Sequence, residues 1–258
     1  MSPSTNISLL LLTHNEAGIL KKNFDWLTQC PNINEIIVID DQSTDDTVKT
    51  VKTLKVPKST KIKVISHPLN QDFSAQRQFG VDIAINDWIL WLDPDETPDY
   101  KLITYLQSFN PNNESAFLIP RIDYFEGKLL KHGETGHSCF IRLFNRKYGK
   151  FIGKVHEVWF SSTPASNLKY DIYHHSHPNL KSFLEKINFY SEIRSLELYQ
   201  QGINPSLFQI IFYPIGKFII NYWLKLGFLD GTPGIIMAIT MSFHSFLVRA
   251  KLWKLSQP

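Results

Sequence analysis

The chain has 258 residues, 43% hydrophobic and 20% charged, with a formal net charge of only +3, values that argue against a disordered chain and against a bundle embedded wholly in lipid. This length suits one α/β domain with a full core, or such a domain with a smaller appendage, and the second is expected. Cys30 and Cys139 lie far apart with no CxxC and no ligand cluster around either, which argues against a disulfide framework or a zinc finger and points to a reducing compartment.

The first apolar run, Ile7–Leu12, has no basic lead-in and is too short for a signal-peptide core, so the chain is expected to begin in the cytosol. After a helical stretch from Ala17 to Thr28 comes a second run, Glu35–Asp40. Both read as buried parallel strands. Thr44-Asp45-Asp46 offers a cap and an acidic first turn for a helix to about Leu54. Lys61–Ser66 then reads as a third strand, Ser74–Ala84 as a helix and Trp88–Leu92 as a fourth strand. Such β-α alternation predicts a doubly wound, mainly parallel sheet, whose ligands sit outside the carboxyl ends of the strands.

Those strand ends carry the polar chemistry. Thr13-His14-Asn15-Glu16 follows the first strand, Asp40-Asp41 the second and Asp93-Pro94-Asp95-Glu96 the fourth. Each cluster alone also suits a helix cap or a turn; three at one edge suit a divalent cation and a polar ligand. An Asp-x-Asp turn aims two hard oxygens into one space, where Mg²⁺ or Mn²⁺ can also hold a diphosphate, so Asp93 and Asp95 are the metal candidates. Arg77, on the preceding helix, is a candidate phosphate contact. Asp40 and Asp41 can accept from a base N–H or from ribose hydroxyls, or simply cap a turn.

These segments, TxNE after strand one, IIVIDDQSTDDT, FSAQRQFG and WILWLDPDE, resemble in order the motifs of glycosyltransferase family 2, inverting enzymes of GT-A fold. RIDYFEGKLLKHG, CFIRLFNRKYGKF, KVHEV, YHHSH, KINFY and GFLDGTPG extend the resemblance to the branch of bacterial lipopolysaccharide-core β-glucosyltransferases, over nearly the whole chain. The resemblance implies a nucleoside pocket lined by Thr13, Asn15, Glu16, Asp40 and Asp41, with His14 stacking on a base. It also implies that Asp93 and Asp95 handle ribose, sugar and metal, with His174 completing the metal shell and Glu157 as catalytic base. His14, Gln78 and Pro94 stand where the family often has Tyr, Asn and Ala, departures that touch nucleotide identity more than the reaction.

In the middle region Phe117–Pro120, Phe140–Phe144 and Val155–Phe160 read as short strands, an antiparallel extension on the acceptor side. His132, His137, His175 and His177 are surface or acceptor-site candidates. Beyond Pro178 the pattern is helical, which places a domain boundary there: residues 1–178 catalytic, 179–258 helical and membrane-associating. Leu180–Gln201 has a solvated face. On Pro205–Leu226, Gln209, Tyr213, Lys217, Asn221 and Lys225 form a narrow polar stripe on an otherwise apolar helix, expected to lie flat at an interface. Gly231–Val248 carries no charge but is marginal for a bilayer of roughly 30 Å. Residues 203–258 carry Lys217, Lys225, Arg249, Lys251 and Lys254 against Asp230, so the tail is basic and apolar together, which fits an anionic membrane surface better than nucleic acid.

The expectation is therefore an inverting hexosyltransferase, for glucose by resemblance, using a UDP-sugar donor, Mg²⁺ or Mn²⁺, and a saccharide or lipid-linked acceptor of lipopolysaccharide type. It would work at the cytoplasmic face of the inner membrane, with a homo-oligomer contact an alternative use of the tail. Two rival readings differ. A sugar-nucleotide pyrophosphorylase needs a Gly-rich basic loop where Thr13–Ala17 stands, and a catalytically silent sugar-binding scaffold has no need of Asp93, Asp95 and Glu157.

Overall fold

Four apolar runs form parallel strands in a computed structural model that describes residues 4–257 except 71, 126, 135, 137, 154–156, 178 and 179; for 176 and 177 only the backbone is described. They are β1 (Ile7–Thr13), β2 (Ile33–Asp40), β3 (Lys61–Ser66) and β4 (Trp88–Leu92). Strand β1 pairs in parallel with both β2 and β4, and β2 with β3. Every residue of β1 is buried, because the sheet is covered on both faces and alternation has no solvent side to report. Leu9 and Leu11 enter one core cluster with Ile36, Val38 and Leu90, while Leu10 and Leu12 enter the other with Ile37, Ile39 and Trp91.

The connecting helices are α1 (Ala17–Asn23), α2 (Thr47–Lys52) and α3 (Phe73–Asp82), followed after β4 by α4 (Tyr100–Gln107). The expected helix to Thr28 ends early, and Asp25–Gln29 forms a 3₁₀ turn instead. Thr44 is not the cap of α2, since its N–H and hydroxyl donate to Asn15 Oδ1 and the helix starts at Thr47. Asp72 caps α3 by accepting from the Ala75 N–H at 2.9 Å.

The sheet continues with shorter strands: β5 (Glu96–Pro98), β6 (Ala116–Phe125), β7 (Lys128–Leu130), β8 (Ser138–Asn145), β11 (Ser166–Asn167) and β12 (Ile172–His177), while β9 (Gly149–Ile152) and β10 (Val158–Ser161) make a separate hairpin. The order along the sheet is β3-β2-β1-β4-β8-β6-β12-β5, and the β4–β8 and β12–β5 pairs are antiparallel. The antiparallel extension is thus present, with part of the expected Val155–Phe160 strand outside the described residues. Cys30 is buried, which pushes its thiol up to about 11, Cys139 is exposed, and both are free.

The chain divides into two units, but not by a single cut at 178. One unit runs to Arg121 and resumes over Cys139–His174; the other comprises Ile122–Ser138 and the chain from His175. The second contains β7 and three helices, α5 (Leu180–Gln200), α6 (Leu207–Ile219) and α7 (Thr232–Leu255). Helix α6 starts from a capping box between Ser206 and Gln209 and runs into a π-turn over Ile220–Leu224. Leu207–Leu224 and Thr232–Leu255 are each long and apolar enough to cross a membrane. Within this unit two members of the polar stripe, Lys217 and Asn221, bond to Glu134, while Tyr213 and Lys225 remain exposed.

Candidate active site

Because β1 lies between β2 and β4, the carboxyl ends of these three strands are neighbours, and the three polar clusters share one edge. The first two are knitted together by hydrogen bonds from uncharged donors, hydroxyls and backbone N–H groups, to Asp40, Asp41 and Asn15. Asp40, 3% exposed, accepts from the Thr13 hydroxyl at 3.1 Å, the Ser43 N–H at 2.9 Å and the Ser43 hydroxyl at 2.6 Å. Its carboxylate is a staple of this edge. Asp41 accepts from the Leu69 N–H at 2.8 Å, and its second oxygen lies 3.7 Å from His14 Nδ1. Asn15 adopts a left-handed φ of 57°, a conformation asparagine tolerates better than most residues. There its side-chain oxygen receives the Thr44 N–H, the Thr44 hydroxyl and the Asp45 N–H. His14 is exposed, with one ring nitrogen 2.6 Å from the Asp41 carbonyl and the other 3.1 Å from Asn15 Nδ2. The Glu16 N–H donates to the Thr47 hydroxyl at 2.7 Å, which ties the start of α1 to α2.

The third cluster is built on ion pairs. After β4 the chain turns through Asp93–Glu96, closed by the Glu96 N–H on the Asp93 carbonyl at 3.0 Å and by the Asp93 N–H on Glu96 Oε2 at 3.0 Å. Arg77, on α3, is buried; its Nη2 donates to Asp93 Oδ1 at 2.9 Å and its Nε to Glu157 Oε1 at 2.8 Å. The expected phosphate contact is therefore a bridge between two carboxylates. Arg142, on β8, is equally buried, reaches Asp93 Oδ2 at 3.4 Å and donates to Glu96. Both guanidinium groups lie over the Trp91 ring, at 4.0 and 3.5 Å from its centroid, and Arg121 stands 3.8 Å from Glu96.

Three carboxylates thus meet three guanidinium groups within one unit. Burial alone pushes the Asp93 carboxyl up, but Arg77 and then Arg142 outweigh it and hold it well below the usual carboxylate range. Glu96 is displaced the other way: burial raises it, Arg142 pulls it down, and the Asp93 charge raises it again. Two neighbouring acids are driven apart, so Asp93 is the fixed anion of the pair. Among the described residues Arg77 Nη1 and Arg142 Nε and Nη1 are buried without a hydrogen-bond partner, and both guanidinium groups stack on the Trp91 face.

Asp95 lies in the same turn, two residues after Asp93, and its partner His174 is close enough to pull the Asp93 and Glu96 carboxyls down. Asp95 Oδ1 is 3.4 Å from His174 Nε2, with both side chains 13% exposed. An oxygen and an imidazole nitrogen side by side form a donor pair that Mg²⁺ or Mn²⁺ accepts, Mn²⁺ the more readily. Asp93 engages both oxygens with arginines instead, and among the described residues no three metal-ligating side chains cluster. Of the other histidines, His132 pairs with Asp230 at 2.7 Å and His175 stacks on Tyr124, both within the C-terminal unit. His137 and His156 lie outside the described residues, as does the His177 side chain. Sequence reasoning missed Arg142 and Trp91, and it placed Glu96 in the strand-end cluster without its arginine partner. The available signal was a charged residue in the apolar strand CFIRLFN, since an arginine buried in a strand requires a partner.

Residues 8–165 match the model for glycosyl transferase family 2. An uncharacterized glycosyltransferase of Rickettsia typhi is 29% identical over 264 residues, which cover 97% of this chain and 87% of that protein. The glycosyltransferase SunS of Bacillus subtilis is 28% identical over 214 residues, 80% of this chain and 42% of its own length. Among solved structures, a mannosyltransferase from Pyrobaculum calidifontis in complex with GDP-Man and Mn²⁺ aligns with 99% of this chain and 89% of its own, at a TM-score of 0.55 and 11% identity. That last likeness concerns the fold, which is of GT-A type.

Proposed function

Since the chain belongs to glycosyl transferase family 2 and so takes its sugar from a nucleotide-sugar donor, we propose that it is an inverting, divalent-metal-dependent hexosyltransferase. The observation that carries this reading is the Arg77 bridge between Asp93 and Glu157, which couples the strand end that would face the donor to a second carboxylate. On this reading the edge formed by Thr13, His14, Asn15, Glu16, Asp40 and Asp41 receives the nucleoside, with the exposed His14 ring available for stacking and the half-buried Asp41 for a base N–H or ribose. Asp40 acts through the loop it staples. Asp93, held anionic, orients ribose or sugar hydroxyls as an acceptor-only group.

Asp95 and His174 would hold the metal, with Asp93 a further candidate oxygen ligand in the same turn. When bound, such an ion would offset the negative charge of the departing nucleoside diphosphate. Glu157 is the base. Its Oε1 takes the Arg77 Nε–H, and Oε2 would take the proton of the acceptor hydroxyl as that oxygen attacks the anomeric carbon. Proton removal of this kind contributes on the order of 10²–10⁴-fold in rate. The metal and phosphate ligands cannot serve, because they hold the leaving group. Replacing Glu157 by Gln keeps the shape and removes the basicity, so Glu157→Gln is expected to lower kcat by at least ~10²-fold with little change in donor affinity. A near-normal kcat would move the role to another carboxylate, and loss of donor binding would put Glu157 in the donor pocket.

The resemblance favours glucose from a UDP-sugar and an acceptor in cell-envelope glycan of lipopolysaccharide type, saccharide or lipid-linked. The apolar, basic C-terminal region supports work at the cytoplasmic face of a membrane. A homo-oligomer contact through the same region is the competing use.

A further inference from the structure

Two helices of the C-terminal unit pass a length-and-hydropathy test for membrane crossing, yet the surroundings of each decide how they can meet lipid. We infer that α6 and α7 form a hairpin that lies in one leaflet, apolar side down, and that neither helix spans the bilayer. The inference rests on the membrane reading above and adds its geometry.

The first argument is the elbow between the helices. In a spanning hairpin the elbow lies across the membrane from the helix ends, and everything bonded to it must cross too. Here the elbow is fastened to the loop after β7. Asp230 accepts from the Lys131 N–H at 3.1 Å and the His132 N–H at 2.9 Å, and pairs with the His132 ring at 2.7 Å. The Gly133 N–H donates to the Lys225 carbonyl at 2.9 Å, and Glu134 receives Lys217 at 2.6 Å and Asn221 at 3.0 Å. A loop carrying Lys131, His132 and Glu134 does not enter hydrocarbon at tolerable cost. Nor can the elbow slacken: a Cβ on Gly234 would stand 1.9 Å from the Gly227 carbonyl oxygen, and one on Gly227 would stand 2.6 Å from that of Asn221. The GFLDGTPG segment is a closely packed joint.

The second argument is the neighbour of α7. Its buried side packs along α5, through Met237 against Phe183 and Ile187, and Lys251 Nζ bonds the Asn188 carbonyl at 2.6 Å. Helix α5 carries charges from end to end, at Lys181, Glu185, Lys186, Glu192, Arg194 and Glu197, so it cannot accompany α7 into lipid.

The third argument is the outward side. With Lys217 and Asn221 drawn inward to Glu134, α6 and its π-turn present Phe208, Phe212, Ile215, Ile219 and Trp223 to the outside, the last 56% exposed. Helix α7 presents Ile239, Phe243, Phe246 and Trp253 at steps of four, three and seven, the period of one helical stripe. Lys225 and Lys254, both exposed, border these stripes. An apolar surface with aromatic residues and a cationic border matches the headgroup boundary of an anionic leaflet.

The test uses the full chain expressed in a bacterium, in a Cys139→Ser background, since Cys30 is buried. Thr232→Cys marks the elbow and Gln257→Cys the end of α7, and a membrane-impermeant maleimide is applied to intact spheroplasts and again after lysis. A hairpin lying in the inner leaflet leaves both sites silent in spheroplasts and labels both after lysis. Labelling of either site before lysis shows a span and overturns the inference, as does an elbow still silent after lysis. In a companion experiment Phe212→Glu combined with Phe246→Glu is expected to lower the membrane-to-soluble ratio at least ~10-fold; an unchanged ratio contradicts the assigned face. If the unaltered chain is soluble after fractionation, the membrane reading falls as well, an outcome distinct from a labelled span.

Discussion

The two units invert the ordinary rule of protein interiors in opposite ways. The catalytic unit buries charge: Arg77, Arg142 and Glu96 are each at most 4% exposed. The C-terminal unit exposes hydrocarbon, with Leu207 at 73% and Leu224 at 72%. Either choice costs stability, since buried ions lose hydration and exposed apolar groups gain an unfavourable one. A fold that accepts both costs, in separate places, has two working surfaces. Two polar groups fit this division, because within the C-terminal unit Lys217 and Asn221 of the α6 stripe are bonded to Glu134.

Breaking the charge frame at its most buried member should give the largest effect. Arg142→Met leaves Glu96 without its close partner and takes one of two guanidinium groups from Asp93, so a stability loss of about 3–5 kcal/mol is expected, read as the shift in urea midpoint. A loss below about 1 kcal/mol would mean that water reaches the pair and that the frame is not as dry as it looks. Asp95→Asn tests catalysis with little change of packing, because it keeps the side-chain shape beside His174 and removes only the charge. Turnover and Mn²⁺-dependent nucleotide binding should be lost with the urea midpoint nearly unchanged; activity persisting at the wild-type level removes Asp95 from the metal site. Glu157→Gln follows in size, through kcat alone.

Acidification probes the frame more gently. The folded-state carboxyl of Asp93 is held below its unfolded value of about 3.9. Its contribution to stability is therefore complete above about pH 4 and is lost only as pH falls through the depressed folded value. Asp93→Asn should thus destabilise the protein by a constant amount between pH 5 and pH 7, as measured by chemical unfolding, with the gap from wild type narrowing at lower pH. A gap that closes already near pH 6 would show that the arginines do not hold this carboxylate ionised.

How much of this was visible in the chain differs between the units for a physical reason. Strands covered on both faces print themselves as unbroken apolar runs, so Trp88–Leu92 was legible to the residue, while the edge strand Lys61–Ser66 was legible from its β-branched alternation, KIKVIS. Parallel neighbours then bring their carboxyl ends together, which is why Thr13, Asp40 and Asp93 could be assembled without coordinates. The partners of Arg142 could not, because Asp93 and Glu96 lie 49 and 46 residues away and pairing across a sheet leaves no local pattern, although the lone charge within CFIRLFN marked the arginine itself. The α6 stripe was legible but its direction was not. Whether Lys217 and Asn221 face water or Glu134 depends on a loop 83 and 87 residues earlier. Residues 122–138 likewise join the C-terminal unit through tertiary packing alone.

The central claim, a nucleotide-sugar site completed by a divalent ion, is tested most directly by thermal shift with a panel of nucleotide sugars, each with and without Mn²⁺. One donor at about 100-fold excess over its Kd should stabilise the protein by about 2.7 kcal/mol, and only when the ion is present. Equal stabilisation with and without the ion, in wild type and in Asp95→Asn alike, would contradict the assignment of Asp95 and His174 and leave a donor site that works without a metal.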